Sequence, residues 1–192
     1  MFTLLDTTLY SPDIEKMEND MRIGTGVFIG IGANLAADGY RDAYQTCLAA
    51  IDSLFEDHNI KVLKVSPWYQ TAPVPISDQP WFVNAVLEVE TSMAAGALLH
   101  ALHRVEDQFG RQRRVRNEAR VLDLDLLDFN GARIKSEGAG LTLPHPRMAA
   151  RAFVLYPLRD LAPNWQHPET GRVITDLIHD LPDVQTIRPF QL

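Results

Sequence analysis

Residues Ala119 to Phe129 read ARVLDLDLLDF. A run this rich in Leu has the composition of a buried strand, yet Asp123 and Asp125 stand inside it. Side chains on a strand alternate between its two faces. Leu122, Leu124 and Leu126 therefore share one face, and Asp123 and Asp125 share the other. Asp128, three residues past Asp125, falls off the carboxylate face by the same parity. Two anions so close repel each other unless something intervenes: Arg, Lys, a metal ion or water. The bland alternative is a strand whose carboxylates point into solvent, but LDLDLL is too apolar for a casual edge strand.

Immediately upstream, RQRRVRNEAR places Arg111, Arg113, Arg114, Arg116 and Arg120 within ten residues of an acidic protein. An arbitrary charge run is a solvated loop. This one leads straight into the aspartate pair. Guanidinium groups fork around phosphate oxygens, and carboxylate pairs suit Mg²⁺, which prefers oxygen ligands and phosphate. Together the two features describe a site for a polyphosphate and its metal ions.

Elements on either side set the fold expectation. GVFIGIGANL predicts a short strand running into a Gly-rich turn. DGYRDAYQTCLAAIDSLFED predicts a helix, with Tyr44, Leu48, Ile51, Leu54 and Phe55 at helical spacing and Asp38 as its N-cap. IKVLKVSPWYQT reads as one strand ended by Pro67, and WFVNAVLEVET as another. SMAAGALLHALHRVEDQFG predicts a helix with Leu98, Leu102, Val105 and Phe109 along its apolar stripe and Gly110 as its stop. The order β-α-β-β-α-β is that of an α+β, ferredoxin-like core: an antiparallel sheet with two helices on one face. The C-terminal third adds a turn, a short helix, a strand or helix over LTLPHPRMAARAFVLYPLRDLAP, and a short amphipathic helix in GRVITDLIHDLP.

The 192 residues, 46% of them hydrophobic, suit one domain, expected over 23–192. Residues 1–22 show no period and read as a loosely attached extension. A net charge of −7 argues against general nucleic-acid binding. The single cysteine, Cys47, excludes an intramolecular disulfide and reads as a buried small side chain. No apolar run could span a bilayer and no secretory signal is evident, so the expectation is a cytoplasmic protein away from membranes.

Two further segments have the makings of a pocket. TAPVPISDQP, with three prolines in ten residues, is a stiff extended loop. On the strand after it, Phe82 and Asn84 share a face, while Trp81 faces the other way. An aromatic ring beside an amide suits a flat, hydrogen-bonding heterocycle, although a core Phe and a strand-end Asn would look the same. LPHPRMAARAF supplies His145 in a rigid turn, with Arg147, Arg151 and Phe153. GIGANL matches neither a Walker A loop nor a dinucleotide fingerprint and is not read as a phosphate loop.

FIGIGANL, SPWYQTAPVPISDQPWFVNAVLEVET, HRVEDQFGRQRR, RVLDLDLLDFNG and LTLPHPRMAARAFVLYPLRDLAP, in this order, resemble the 6-hydroxymethyl-7,8-dihydropterin pyrophosphokinases of folate biosynthesis. The resemblance covers about residues 26 to 180, and RxLDLDLL followed by LPHPRM is its most specific part. It implies transfer of the pyrophosphoryl group of ATP to the hydroxymethyl group of the pterin, giving AMP and the pterin diphosphate. It implies two Mg²⁺ ions on Asp123 and Asp125, and a pterin ring between Phe82 and Phe153. Asn84 and the loop of Thr71, Ala72 and Val74 would read the ring's edge. Glu106, Arg111, Arg113, Arg116, Arg120, Leu126, Thr142, His145 and Arg151 would meet ATP, with Arg111 and Arg120 counted as catalytic. A monomer acting on these two small molecules is expected. This chain departs from the pattern in three places. RNEAR stands where many members have RWGPR, so the Trp that covers the pterin is missing. Pro146 follows the motif His where some have an aromatic, and Phe82 replaces a Tyr. The rival readings are a Mg²⁺-dependent phosphohydrolase and a non-catalytic ferredoxin-like nucleotide-binding module.

Overall fold

The computed structural model describes residues 25–58, 60–73, 77–110, 119–136 and 140–191. The expected extension over 1–22 lies outside the described residues, as do Val74, Arg111, Arg113, Arg114, Arg116 and Asn117.

Strand β1 (Val27–Ala33) is the centre of the sheet, antiparallel to β4 (Phe82–Glu90) on one side and β5 (Asp123–Phe129) on the other. Beyond β4 lie β2 (Lys61–Val65) and β3 (Tyr69–Thr71), which pair with successive halves of it. The segment read as one strand, IKVLKVSPWYQT, is thus two. Pro67 has no N–H to offer a ladder, and the chain is interrupted over 66–68 before pairing resumes. The order of the core strands, β5-β1-β4 and then β2 with β3, is the ferredoxin-like one, and β8 (Ile187–Pro189) extends it beyond β3. Strand β8 had no recognised signal in the sequence. A separate pair joins β6 (Ile134–Lys135) to β7 (Thr142–Leu143).

Helices α1 (Ala43–His58) and α2 (Ala95–Gln108) cover one face. There Val27, Ile29 and Ile31 of β1, Ala85, Leu87 and Val89 of β4, and Leu122, Leu124 and Leu126 meet Leu98, Leu102 and Val105 of α2. Each of these alternates with a residue on the opposite face, as a two-residue period requires. Gly110 ends α2 with φ +81, a left-handed conformation that costs glycine nothing. Two expectations for α1 need correction. Its N-cap is Asp42, not Asp38: the Asp42 carboxylate accepts the Gln45 N–H at 2.8 Å. The buried stripe is rotated, with Cys47, Ala50 and Leu54 inside and Phe55 58% exposed. Small residues face the sheet because they let the helix approach it closely.

The C-terminal third covers part of the other face. A 3₁₀ turn (Met148–Ala150) leads into α3 (Ala152–Leu161), so the stretch read as strand or helix is a helix. With α4 (Ile174–His179) and Trp165, α3 buries Phe28, Val86 and Leu127. The register of β5 shifts opposite Phe28 and Ile29, with Phe28 facing Asp128 and Ile29 facing Leu126. This bulge places Asp128 on the same face as Phe28, against the parity argument. It still stands apart from the aspartate pair, buried where Oδ2 accepts the Trp165 indole N–H at 2.8 Å.

Candidate active site

One row of residues crosses the sheet on this second face. Asp123 lies opposite Gly32, Gly32 opposite Asn84, and Asn84 opposite Tyr69. Strands are spaced ~4.8 Å apart, so Asp123 and Asn84 stand on either side of a glycine gap ~10 Å wide. The gap is the floor of a cavity of about 310 Å³. Gly30 and Gly32 line its base, Phe82, Phe153, Thr71, Ala72 and Asn84 its largely apolar side, and Arg120, Asp123, Asp125 and Arg151 its charged side. A β-carbon on Gly32 would come within 2.6 Å of Asn84 Oδ1. The glycine therefore leaves room for that amide, which is 5% exposed and donates to Thr71 Oγ1 at 2.9 Å.

The carboxylates are not idle. Asp123 is ion-paired with Arg120, and Asp125 with Arg151 at 3.2 Å, with His145 Nε2 3.8 Å from its other oxygen. Burial draws His145 below the ordinary histidine value, against the raising effect of Asp125. Burial acts on Arg151 in the same downward direction, again opposed by Asp125. Arg120 is itself anchored: its N–H donates to Asn34 Oδ1 at 2.7 Å, its carbonyl accepts the Asn34 N–H at 3.0 Å, and Asn34 Nδ2 reaches Pro80 O at 3.1 Å. GIGANL, dismissed as a phosphate loop, thus contributes the cavity floor and the buried amide that fixes Arg120.

Leu126, Thr142 and His145 come together in a neighbouring cavity of about 270 Å³, with Leu99, His103, Leu141 and Pro146. Asp125 lines both cavities. Glu106, expected at the nucleotide, is wholly buried instead, and its Oε1 accepts the Leu124 N–H at 2.8 Å. It holds the backbone between the two aspartates. Trp81 lies under the Arg188 guanidinium at 4.4 Å, away from the cavity.

The aspartates offer oxygen donors on one strand face, spaced ~6.7 Å along the chain. Among the described residues no cluster of three His, Cys, Asp or Glu could hold a metal by itself. That suits Mg²⁺, which binds through one or two carboxylates and takes its remaining ligands from phosphate and water.

The model of the 7,8-dihydro-6-hydroxymethylpterin-pyrophosphokinase family matches residues 28–163. The chain belongs to this family. A pyrophosphokinase of Pseudomonas aeruginosa is 40% identical over 156 residues, 81% of this chain and 91% of that protein. One of Bacillus subtilis is 39% identical over 70% of this chain and 76% of its own length. The folic acid synthesis protein fol1 of Pneumocystis carinii is 35% identical over 91% of this chain, which spans only 23% of that longer protein. Among solved structures, a Plasmodium falciparum HPPK-DHPS triple mutant superposes with a TM-score of 0.62 over 81% of this chain and 43% of its own. At 15% identity that likeness speaks for the shared fold alone.

Seen as a pyrophosphokinase site, the cavity has a wall that no motif announced. Pro182, Val184 and Gln185 of the C-terminal tail line it, and Val184 is 75% exposed at its mouth. The Ala72 N–H donates to Thr186 O at 3.2 Å and ties this tail to the loop that reads the pterin edge in the motif-based expectation. No local pattern around Gln185 could have signalled this, because the partners of its side chain lie more than thirty residues away.

Proposed function

We propose that the chain performs the reaction of its family, pyrophosphoryl transfer from ATP to the hydroxymethyl group of 6-hydroxymethyl-7,8-dihydropterin, with the pterin in the 310 Å³ cavity and the adenosine end of ATP in the 270 Å³ one. The observation that carries this is the position of Asp125, the carboxylate shared by both. Whatever joins the two substrates must pass it.

Phe82 and Phe153 hold the ring, and Asn84 with Thr71 reads its edge. Leu126 and Thr142 border the nucleotide. Asp123 and Asp125 would hold two Mg²⁺ ions, which supply charge neutralisation at the phosphates and make the alcohol a better nucleophile. Arg120 and Arg151, now paired with those aspartates, can turn to the phosphate oxygens as the carboxylates take up metal, so that no guanidinium loses a counter-charge. Arg111, Arg113 and Arg116 are proposed to add further charge from the loop outside the described residues. His145, 3.8 Å from the Asp125 carboxylate, offers the phosphates a hydrogen bond. None of these groups need act as a strong base. Such transfer rests on alignment and electrostatics, and good alignment alone is worth ~7–11 kcal/mol. Residues 23–192 working as one domain and as a monomer complete the reading.

The decisive assay mixes the protein with ATP, Mg²⁺ and the hydroxymethyl pterin and identifies the nucleotide product. AMP that appears only with pterin is expected. ADP, or pterin-independent hydrolysis, would refute the assignment in favour of a phosphohydrolase. Asp125→Ala should lower turnover by roughly 10²–10³-fold with its circular dichroism unchanged. Near-parental turnover in that variant would remove Asp125 from the centre of the reaction.

A further inference from the structure

Helix α3 begins in an unusual way. Its N-cap is Arg151, which makes no side-chain cap bond to its own helix. Ser, Thr, Asp or Asn normally fill that place, because the first N–H groups of a helix have no partner within it. Arg151 cannot serve, since it carries no acceptor and reaches instead toward Asp125. The missing cap comes from the far end of the chain. Gln185 Oε1 accepts the Ala152 N–H at 2.9 Å, and Gln185 Nε2 donates to Ala150 O at 3.0 Å. One carboxamide thus grips the backbone on both sides of Arg151, one residue short of Phe153. Gln185 also lines the cavity itself.

We propose that Gln185 is a positioning residue for the transfer reaction, a cap supplied by a distant segment of the same chain that fixes Phe153 for stacking and leaves the Arg151 side chain to the anionic side of the site. The inference rests on the placement of the pterin against Phe153. The physical reason for the arrangement is a conflict at position 151. The residue that should cap the helix is needed elsewhere as a cation, so the capping duty passes to a side chain of both donor and acceptor character. A carboxamide carries a donor and an acceptor on separate atoms and so can satisfy an N–H and a carbonyl at once.

The test is pterin titration in the presence of a non-hydrolysable ATP analogue, with melting temperatures alongside. Gln185→Ala should weaken pterin affinity about five- to tenfold, the factor that loss of a good helix cap represents. Gln185→Glu, which keeps the acceptor for Ala152 and loses the donor to Ala150, should fall between the two and guards against a poorly folded Ala variant. The distinguishing readout is coupling: in a Phe153→Ala background, Gln185→Ala should cost no further pterin affinity, because its effect runs through that ring. Additive losses in the double variant would show that Gln185 acts independently of that ring and overturn the inference. So would parental pterin affinity in Gln185→Ala. If Phe153→Ala alone leaves pterin affinity unchanged, the pterin placement itself fails, and the inference falls with it.

Discussion

The sharpest consequence of the geometry concerns a single methyl group. Gly32 has an ordinary extended backbone within β1, so Gly32→Ala meets no conformational penalty there. Through the unfolded chain it should even stabilise by ~0.4–1 kcal/mol. Against this stands a contact of 2.6 Å between the new β-carbon and Asn84 Oδ1. Carbon and oxygen at that distance cannot coexist, so the Asn84 amide must swing away and surrender its 2.9 Å bond to Thr71 Oγ1. Both groups are buried, and stranding one of them costs ~1–3 kcal/mol. At mid-range the cost exceeds the gain, leaving a net destabilisation of about 1.3 kcal/mol (~2 less ~0.7) and a fall in melting temperature of about 3–5 °C. Pterin affinity should drop by roughly one to two orders of magnitude, since the displaced amide is the proposed edge reader. The matched control is Gly30→Ala, whose β-carbon would rest 3.5 Å from Leu127 Cδ2 in ordinary contact. It should melt no lower than the parent. Thermal melts and pterin titration of both variants decide the matter. A Gly32→Ala protein as stable as Gly30→Ala, with parental pterin affinity, would show that the glycine gap does not hold Asn84 in place.

Three other outcomes follow from the same structure. Trp165→Phe removes the indole donor from buried Asp128, whose carboxyl burial already pushes above its usual range, and should cost ~1–3 kcal/mol in chemical denaturation. His167 is held below the ordinary histidine value of 6.5 by burial, opposed by Glu169 and Asp128. The unfolded chain then binds more protons as pH falls below 6.5, so stability present above that value is lost on acidification. His167→Asn should flatten the loss in melts taken across that range, and an unchanged slope would exclude this residue as its source. The wholly buried Cys47 thiol is pushed up to about 12 by burial, so thiol reagents should leave the native protein untouched and react once it is denatured.

What the sequence alone carried was local in its physics. The two-residue period of LDLDLL separated carboxylates from core leucines because parity needs only neighbouring residues, and the stripe of α2 and its Gly110 stop were equally local. The same reasoning failed where a distant partner decided the outcome. The bulge opposite Phe28 that turns Asp128 toward Trp165 is set by pairing between β1 and β5, not by either strand alone. The rotation of α1 that exposes Phe55 follows from how closely the sheet lets Cys47 and Ala50 approach.

Family motifs pointed to the side chains proposed to carry the chemistry, and the sequence determined their types and their parity. Only the folded chain decided that Gly32 stands between Asp123 and Asn84, that Asp125 is shared by two cavities, that Glu106 serves the β5 backbone, and that Gln185 caps a helix begun by Arg151. The reason is physical. Side-chain periodicity is dictated by bonds to adjacent residues, whereas a cavity and its hydrogen-bond partners are made by segments that meet only after the sheet has closed around them.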